Sequence, residues 1–347
     1  MEADKKYCMS SFLMFRTIAD SEKCFKEGIT PRLLNGFTQR KGIHDSTQLE
    51  EYLRTRVERA AADGKMALAL SGGIDSAILA KFMPRGSVAY TFKCVVPGIE
   101  VVDETKAAAE YARACGLEHR VVEIYWEDFE KYAPLLMRHK GMPVHSIEVQ
   151  IYKAALRAKE EGMDGFIFGE TADALYGGLN GLLSKDWLIG EFIDRYTYVK
   201  PYHVLREAEL ILEPYFCCLI DGYVDVHKFM SGFFYKESLN SYVSALETAG
   251  TSGIYPYAET YLAEPLNYAR IRSGENKYLV REVFNRLYPG WSVPKKTPMP
   301  RPMNEWFQSW NGPVRQEFIP HCTDHMTGDQ KWLVWCLEKF LDLCEER

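Results

Sequence analysis

Between Met66 and Glu170, short apolar runs alternate with longer stretches whose apolar residues recur three and four apart. That is the pattern of strands and helices in βαβ succession around a parallel sheet. MALALS is the first expected strand; it stops at Gly72-Gly73 and passes into IDSAILAKF, whose Ile74, Ile78, Leu79 and Phe82 share one helical face. VAYTFKC (88–94) reads as a second strand, followed by a helix that opens near Asp103, is favoured by Ala107 to Ala109 and is ended by Gly116. HRVVEI (119–124) is the third strand. After helical stretches at about 127–139 and 146–161, GFIFGE (165–170) is a fourth strand that empties into a glycine-containing turn.

The flanks read differently. Residues 1–62 are assigned as an N-terminal extension, in which SSFLMFRTI is one strand or hairpin arm and STQLEEYLRTRVERAAADG is a helix with Ser46 as its N-cap. From Ala174 onward strand signals fade, and Tyr, Trp, Phe and Leu recur at helical spacing. The expected organisation is therefore an α/β domain over 63–180 and a mostly helical lobe over 181–347 that completes the active site. The fold class is α/β, a Rossmann-like parallel sheet with a helical C-terminal lobe.

Composition narrows the partners. At 47% hydrophobic and 26% charged residues the chain falls in the ordinary globular range, and no uninterrupted apolar stretch reaches membrane-spanning length. A net charge of -6 lacks the basic excess of a general nucleic-acid binder. The short apolar stretch after MEADKKYC contains Arg16 and no small-residue cleavage pattern, so a cytoplasmic location is expected, with neither membrane nor nucleic acid as partner. Nine cysteines without a CxxC pair argue against a disulfide framework or a thiolate zinc site. His321 and His325 are four apart, but Pro320 and Gly328 break the helix that such a metal site would need.

The chemistry concentrates in SGGIDS, Ser71 to Ser76, between a buried strand and a helix. Gly72 and Gly73 let the backbone turn tightly and bring its N–H groups to an anion, and Ser71 and Ser76 add hydroxyls. Asp75 would repel a phosphate unless a divalent cation stood between them, so its presence predicts magnesium, Mg2+. The spacing is neither GxxxxGK[ST] nor GxGxxG.

SGGxDS after an apolar strand resembles the PP-loop of the ATP pyrophosphatases, an adenine nucleotide alpha hydrolase-like fold that retains pyrophosphate after AMP transfer. GETADALYGG (169–178) resembles the GEGADELFGG segment of the asparagine synthetases. The resemblance makes Asp173, with Asp75, a magnesium ligand, and puts Glu170 where the nitrogen nucleophile loses its proton, with Gly169 in the nucleotide site. TFKCVVPG (91–98) is similar to the family's SFxVGxPG, which would turn backbone near Cys94 toward adenine. ENKYLVREVF (275–284) resembles the EKxxLRExF helix, giving Lys277 the role of bridging phosphates and stabilising charge during transfer. PKKTPMPRPMNEW (294–306) resembles the closing KKGFxxPxxxW loop, with Lys296 as a phosphate or carboxylate contact, although the Gly-Phe pair is replaced by stiffer Thr-Pro.

The function so implied is an ATP-dependent, amide-forming ligase that adenylates a small-molecule or glycan-precursor carboxylate and transfers it to nitrogen. The first 70 residues are too few for the family's glutamine-hydrolysing domain. Nitrogen is therefore expected as ammonia, as a substrate amine, or from a separate amidotransferase chain. Relatives that close β-lactams carry Tyr in place of Glu170, so the retained Glu favours external nitrogen. Ala174 replaces the family's Glu. The alternatives are another PP-loop enzyme, NAD synthetase-like or tRNA-modifying, and an inactive ATP-binding partner of an amidotransferase.

Overall fold

The computed structural model of the chain describes residues 1–295 and 299–346. Helix α1 (Lys5–Phe15) is capped by the Asp4 carboxylate, which accepts from the Tyr7 N–H at 3.0 Å. This corrects the expectation of a strand at SSFLMF. Every residue from Tyr7 to Phe15 is buried, so the run carries no alternation by which helix and strand could be told apart.

A short strand β1 (Lys41–Ile43) leads to α2 (Ser46–Ala60). Its cap is Asp45, not Ser46: the Asp45 carboxylate accepts from the N–H groups of Thr47 and Gln48, both at 2.8 Å. The Ser46 hydroxyl instead accepts from Arg286 at 2.9 Å.

The central succession follows the sequence reading: β2 (Met66–Ala69), α3 (Ile74–Ala80), β3 (Val88–Cys94), α4 (Thr105–Cys115), β4 (Glu118–Ile124), α5 (Trp126–Lys140), α6 (Ser146–Glu160) and β5 (Gly165–Ile167). Beyond them come α7 (Ala172–Leu175), α8 (Tyr235–Ala249), β6 (Ser252–Ile254), β7 (Thr260–Leu262), α9 (Tyr278–Leu287) and α10 (Gly328–Glu345).

The five strands of the main sheet are ordered β6-β5-β2-β3-β4 and every pair is parallel. The outer strand β6 comes from the region where no strand was expected, and β7 pairs separately with β1. Three residues containing Ser252 and Gly253 carry no readable alternation, and β6 exists because the edge of β5 offers it a backbone ladder. Helices α3 and α4 with α2 and α9 form one layer, and α5, α6, α8 and α10 the other. The sheet is thus covered on both sides, as parallel sheets require. Its middle is dry: Ala67, Leu68, Ala89, Phe166 and Ile167 are fully buried.

The chain runs outward from β2 through β3 and β4, then crosses back to place β5 on the opposite side of β2. The carboxyl ends of β2 and β5 therefore flank the crevice where doubly wound sheets take their ligands. Among the described residues no helix is long and apolar enough to cross a membrane.

Candidate active site

The turn after β2 is held in shape by its own hydroxyls. Ser76 Oγ accepts from the Ser71 N–H at 3.0 Å and lies 3.0 Å from Ser71 Oγ, which in turn accepts from the Gly73 N–H at 3.1 Å. Gly73 is the N-cap of α3 and has no side chain to close the helix's first turn, so Asp75 enters that turn beside open backbone donors.

The turn after β5 lies against it. A side chain on Gly169 would start 3.0 Å from the Ser76 nitrogen and 3.1 Å from Asp75 Cβ, so glycine is what permits the two loops to touch. Thr171, a buried β-branched residue at φ 72°, then reverses the chain in a backbone region that costs about 1–3 kcal/mol, the kind of strain stored where side chains must be aimed. Glu170 leaves in one direction and Asp173, on α7, in another.

Asp173 meets Asp75 through Lys277. The Lys277 ammonium is 2.6 and 2.7 Å from the two Asp75 carboxylate oxygens and 3.0 Å from Asp173 Oδ1. Lys277 sits at φ 53°, just before α9, and is buried. Burial alone would depress its pKa; the charges of Asp173 and Asp75 outweigh it and hold the group above its ordinary value. Tyr257 steadies the same turn, its hydroxyl donating to the Asp75 carbonyl at 3.3 Å. Gly178 makes the cluster sterically possible, because a Cβ there would stand 1.9 Å from Asp173 Oδ1 and 2.6 Å from Lys277 Cδ.

Glu170 belongs to a neighbouring group. Its Oε1 accepts from Ser238 Oγ, on α8, at 2.7 Å. Tyr242, one turn further along α8, is buried against it; burial and the Glu170 charge together push the phenol well above its ordinary pKa.

Of the residues singled out in the sequence, Ser71, Gly72, Gly73, Asp75, Ser76, Gly169, Asp173 and Lys277 lie together around the carboxyl ends of β2 and β5. Cys94 ends β3 with its thiol buried and pushed up to about 12 by desolvation, Arg301 opposing the rise. Ala174 is buried in the core. Lys296 lies outside the described residues. His321 precedes α10 in a turn at φ 61°, and among the described residues no group of three or more His, Cys, Asp or Glu gathers to hold a metal.

Sequence reasoning missed Glu104. This residue stands at the N-cap position of α4 without bonding the helix end, and its carboxyl lies against Gly72; burial pushes it up to about 7, with the Gly72 N–H opposing and Asp103 reinforcing. Nothing local marks it, because its place depends on α4 packing over the turn. Ser238, Tyr242 and Tyr257 were missed for the same reason.

A glycine turn between strand and helix is met here by an acidic turn from the adjacent parallel strand. The asparagine synthase family model matches residues 48–213, just under half of the chain. No curated protein matches the chain. Among solved structures, an NH3-dependent NAD synthetase from Campylobacter jejuni is similar at 15% identity over 39% of this chain and 61% of that one, with a TM-score of 0.26. This chain thus spans about three fifths of that enzyme's length. An NMN synthetase from Francisella tularensis is similar at 11% identity over 74% of this chain and 99% of that one, TM-score 0.28. A U34-tRNA thiolase from Methanococcus maripaludis is similar at 16% identity over 72% and 82%, TM-score 0.27.

Proposed function

We propose that the chain is an amide-forming ligase, which adenylates a carboxylate with ATP and transfers the acyl group to ammonia or an amine. The observation that carries this reading is the convergence of Asp75, Asp173 and Lys277 at the crevice between β2 and β5.

Two carboxylates aimed at one point fit magnesium, which takes one or two protein carboxylates and completes its shell with water and substrate phosphates. The Lys277 ammonium now stands at that point, 2.6 to 3.0 Å from their oxygens. Asp75 and Asp173 would hold the ion, and bound there it would neutralise charge on the pyrophosphate leaving group.

The chain's own residues account for the rest. The N–H groups of Ser71 and Gly73 are taken within the turn, so it is the start of α3 that would offer backbone N–H groups to the phosphates. Lys277, drawn off the carboxylates by the nucleotide, would stabilise charge as the substrate carboxylate oxygen bonds to the α-phosphorus and the bond to pyrophosphate breaks. Nitrogen then attacks the acyl carbonyl, AMP leaves with the C–O bonding pair, and the surplus proton goes to Glu170. Ser238 donates to one Glu170 oxygen and Tyr242 also bonds the carboxylate, which holds it in place for that role.

Glu170→Ala is expected to keep acid-dependent ATP–pyrophosphate exchange while amide formation with ammonia falls about 10²–10⁴-fold, the usual contribution of a general base. Loss of both activities together would make Glu170 a structural residue. Pyrophosphate release that needs no carboxylic acid would favour a different PP-loop chemistry.

A further inference from the structure

A polar cavity outside the Asp75, Asp173 and Lys277 cluster is lined by residues that the PP-loop chemistry does not use. Its volume is about 150 Å³, and its walls include Arg16, His145, Ser146, Tyr198, Arg301 and Trp332. A cavity of this size holds about six heavy atoms, since one of ~150 Å³ admits benzene. Arg16 is reached from outside the matched domain: it ends α1 at φ 61°, a backbone region unusual for arginine.

The walls are built, not incidental. Arg16 donates to the Tyr198 hydroxyl at 2.6 Å and to Glu237 at 3.0 Å, and its guanidinium carbon stands 4.0 Å from the centre of the Tyr198 ring. Its Nη1 is 2.7 Å from His145 Nε2. A guanidinium has no acceptor, so His145 Nε2 must present its lone pair. Burial, with the charges of Arg16, Arg301 and Lys140, keeps that imidazole neutral by pushing its pKa well below the ordinary value, and the remaining proton is on Nδ1.

What remains open in the cavity is donor capacity. Ser146 is 1% exposed and its hydroxyl has no hydrogen-bond partner among the described residues. Arg301 donates from Nε to Asp329 at 3.2 Å, and among the described residues its terminal nitrogens have no acceptor. Asp329 is itself largely exposed and already engaged by Arg301. Among the residues that line the cavity the one carboxylate is Asp329, already paired with Arg301, so the groups left open toward it are chiefly cationic and hydroxyl donors.

Its position relative to the chemistry is set by two consecutive residues of α8. Glu237 reaches Arg16 at the cavity and Ser238 reaches Glu170 at the acyl-transfer site. One turn of α8 therefore bears on both the cavity and the Glu170 group. The charge of Arg301 is felt both at Tyr242, which packs on Glu170, and at Cys94 at the end of β3.

We propose that this cavity anchors a second carboxylate of the acyl substrate, so that the enzyme takes a small dicarboxylic acid whose far end carries no amino group. The inference rests on the acyl-transfer reading for the role of the first carboxylate, but the cavity's ligand is testable without it. A planar carboxylate would accept two parallel bonds from Arg301 and one from Ser146.

The test is calorimetric titration of the full chain, without ATP, using the diacids from malonate to adipate, the matching monoacids, aspartate and inorganic phosphate. At least one diacid should bind, more tightly than its monoacid, than aspartate and than phosphate. Arg301→Gln and Ser146→Ala should each weaken that diacid by roughly tenfold or more, the scale of one charge-assisted hydrogen bond, and leave ATP binding unchanged. Absence of diacid binding, equal binding of monoacids, preference for aspartate or phosphate, or affinity unchanged in both variants would overturn the proposal. The functional reading fails separately: a diacid that binds but supports no ATP–pyrophosphate exchange would sink adenylation and leave the cavity's assignment standing.

Discussion

Gly178 has no freedom to carry a side chain, because its missing Cβ would occupy the space of Asp173 Oδ1. Gly178→Ala should push Asp173 off Lys277, destabilising the fold by about 1–3 kcal/mol as overpacking does. Urea melts would measure that loss, and pyrophosphate exchange should fall with it; a variant with unchanged exchange would show that the trio need not be intact. Glu104 sets a pH dependence. Its carboxyl, ordinarily near 4.5, is held at about 7 in the fold. A raised carboxyl favours the protonated folded state, so the stability it confers is complete below about pH 4.5 and is lost as pH rises through about 7. The same ionisation places a negative charge against Gly72, where phosphate is expected. Affinity for ATP should therefore fall between pH 6 and pH 8, and Glu104→Gln should flatten that fall. Parallel profiles for the two proteins, measured by calorimetry, would remove Glu104 from the site.

At the scale of elements, the sequence was legible wherever one element alone decided the pattern. Strands β2, β3 and β4 and helices α3 to α6 emerge close to where periodicity and Gly116 place them. The same holds for the two acidic turns, since SGGIDS and GETADALYGG carry their glycines and carboxylates in contiguous stretches. What pairing or packing decides was not legible. Helix α1 is buried on nearly every side and reads as uniform apolar sequence. The edge strand β6 is formed by its neighbour's backbone, and the cap of α2 moved one residue because a carboxylate took both free N–H groups. Glu104, Ser238 and Arg16 are each ordinary in their own segment and gain meaning from a partner far along the chain.

Across the whole molecule, both ends of the chain are packed into the helical layers. Cys8, Phe12, Leu13, Met14 and Phe15 of α1 are fully buried, α1 contacts α10, and Phe25 meets Phe340 edge to face at 4.9 Å. Phe12→Ala should cost about 3–5 kcal/mol, and the loss should appear in one cooperative transition shared by near-UV dichroism and nucleotide binding. Two separated transitions would show that the first helix melts on its own. The order of the chain also has a consequence for biosynthesis. Asp75 leaves the ribosome 202 residues before Lys277, an interval of about 10–40 s at ordinary elongation rates. Asp173 follows only about midway through that interval, and until Lys277 emerges neither carboxylate has its ammonium, so a nascent chain that has finished its central strands has yet to assemble the trio.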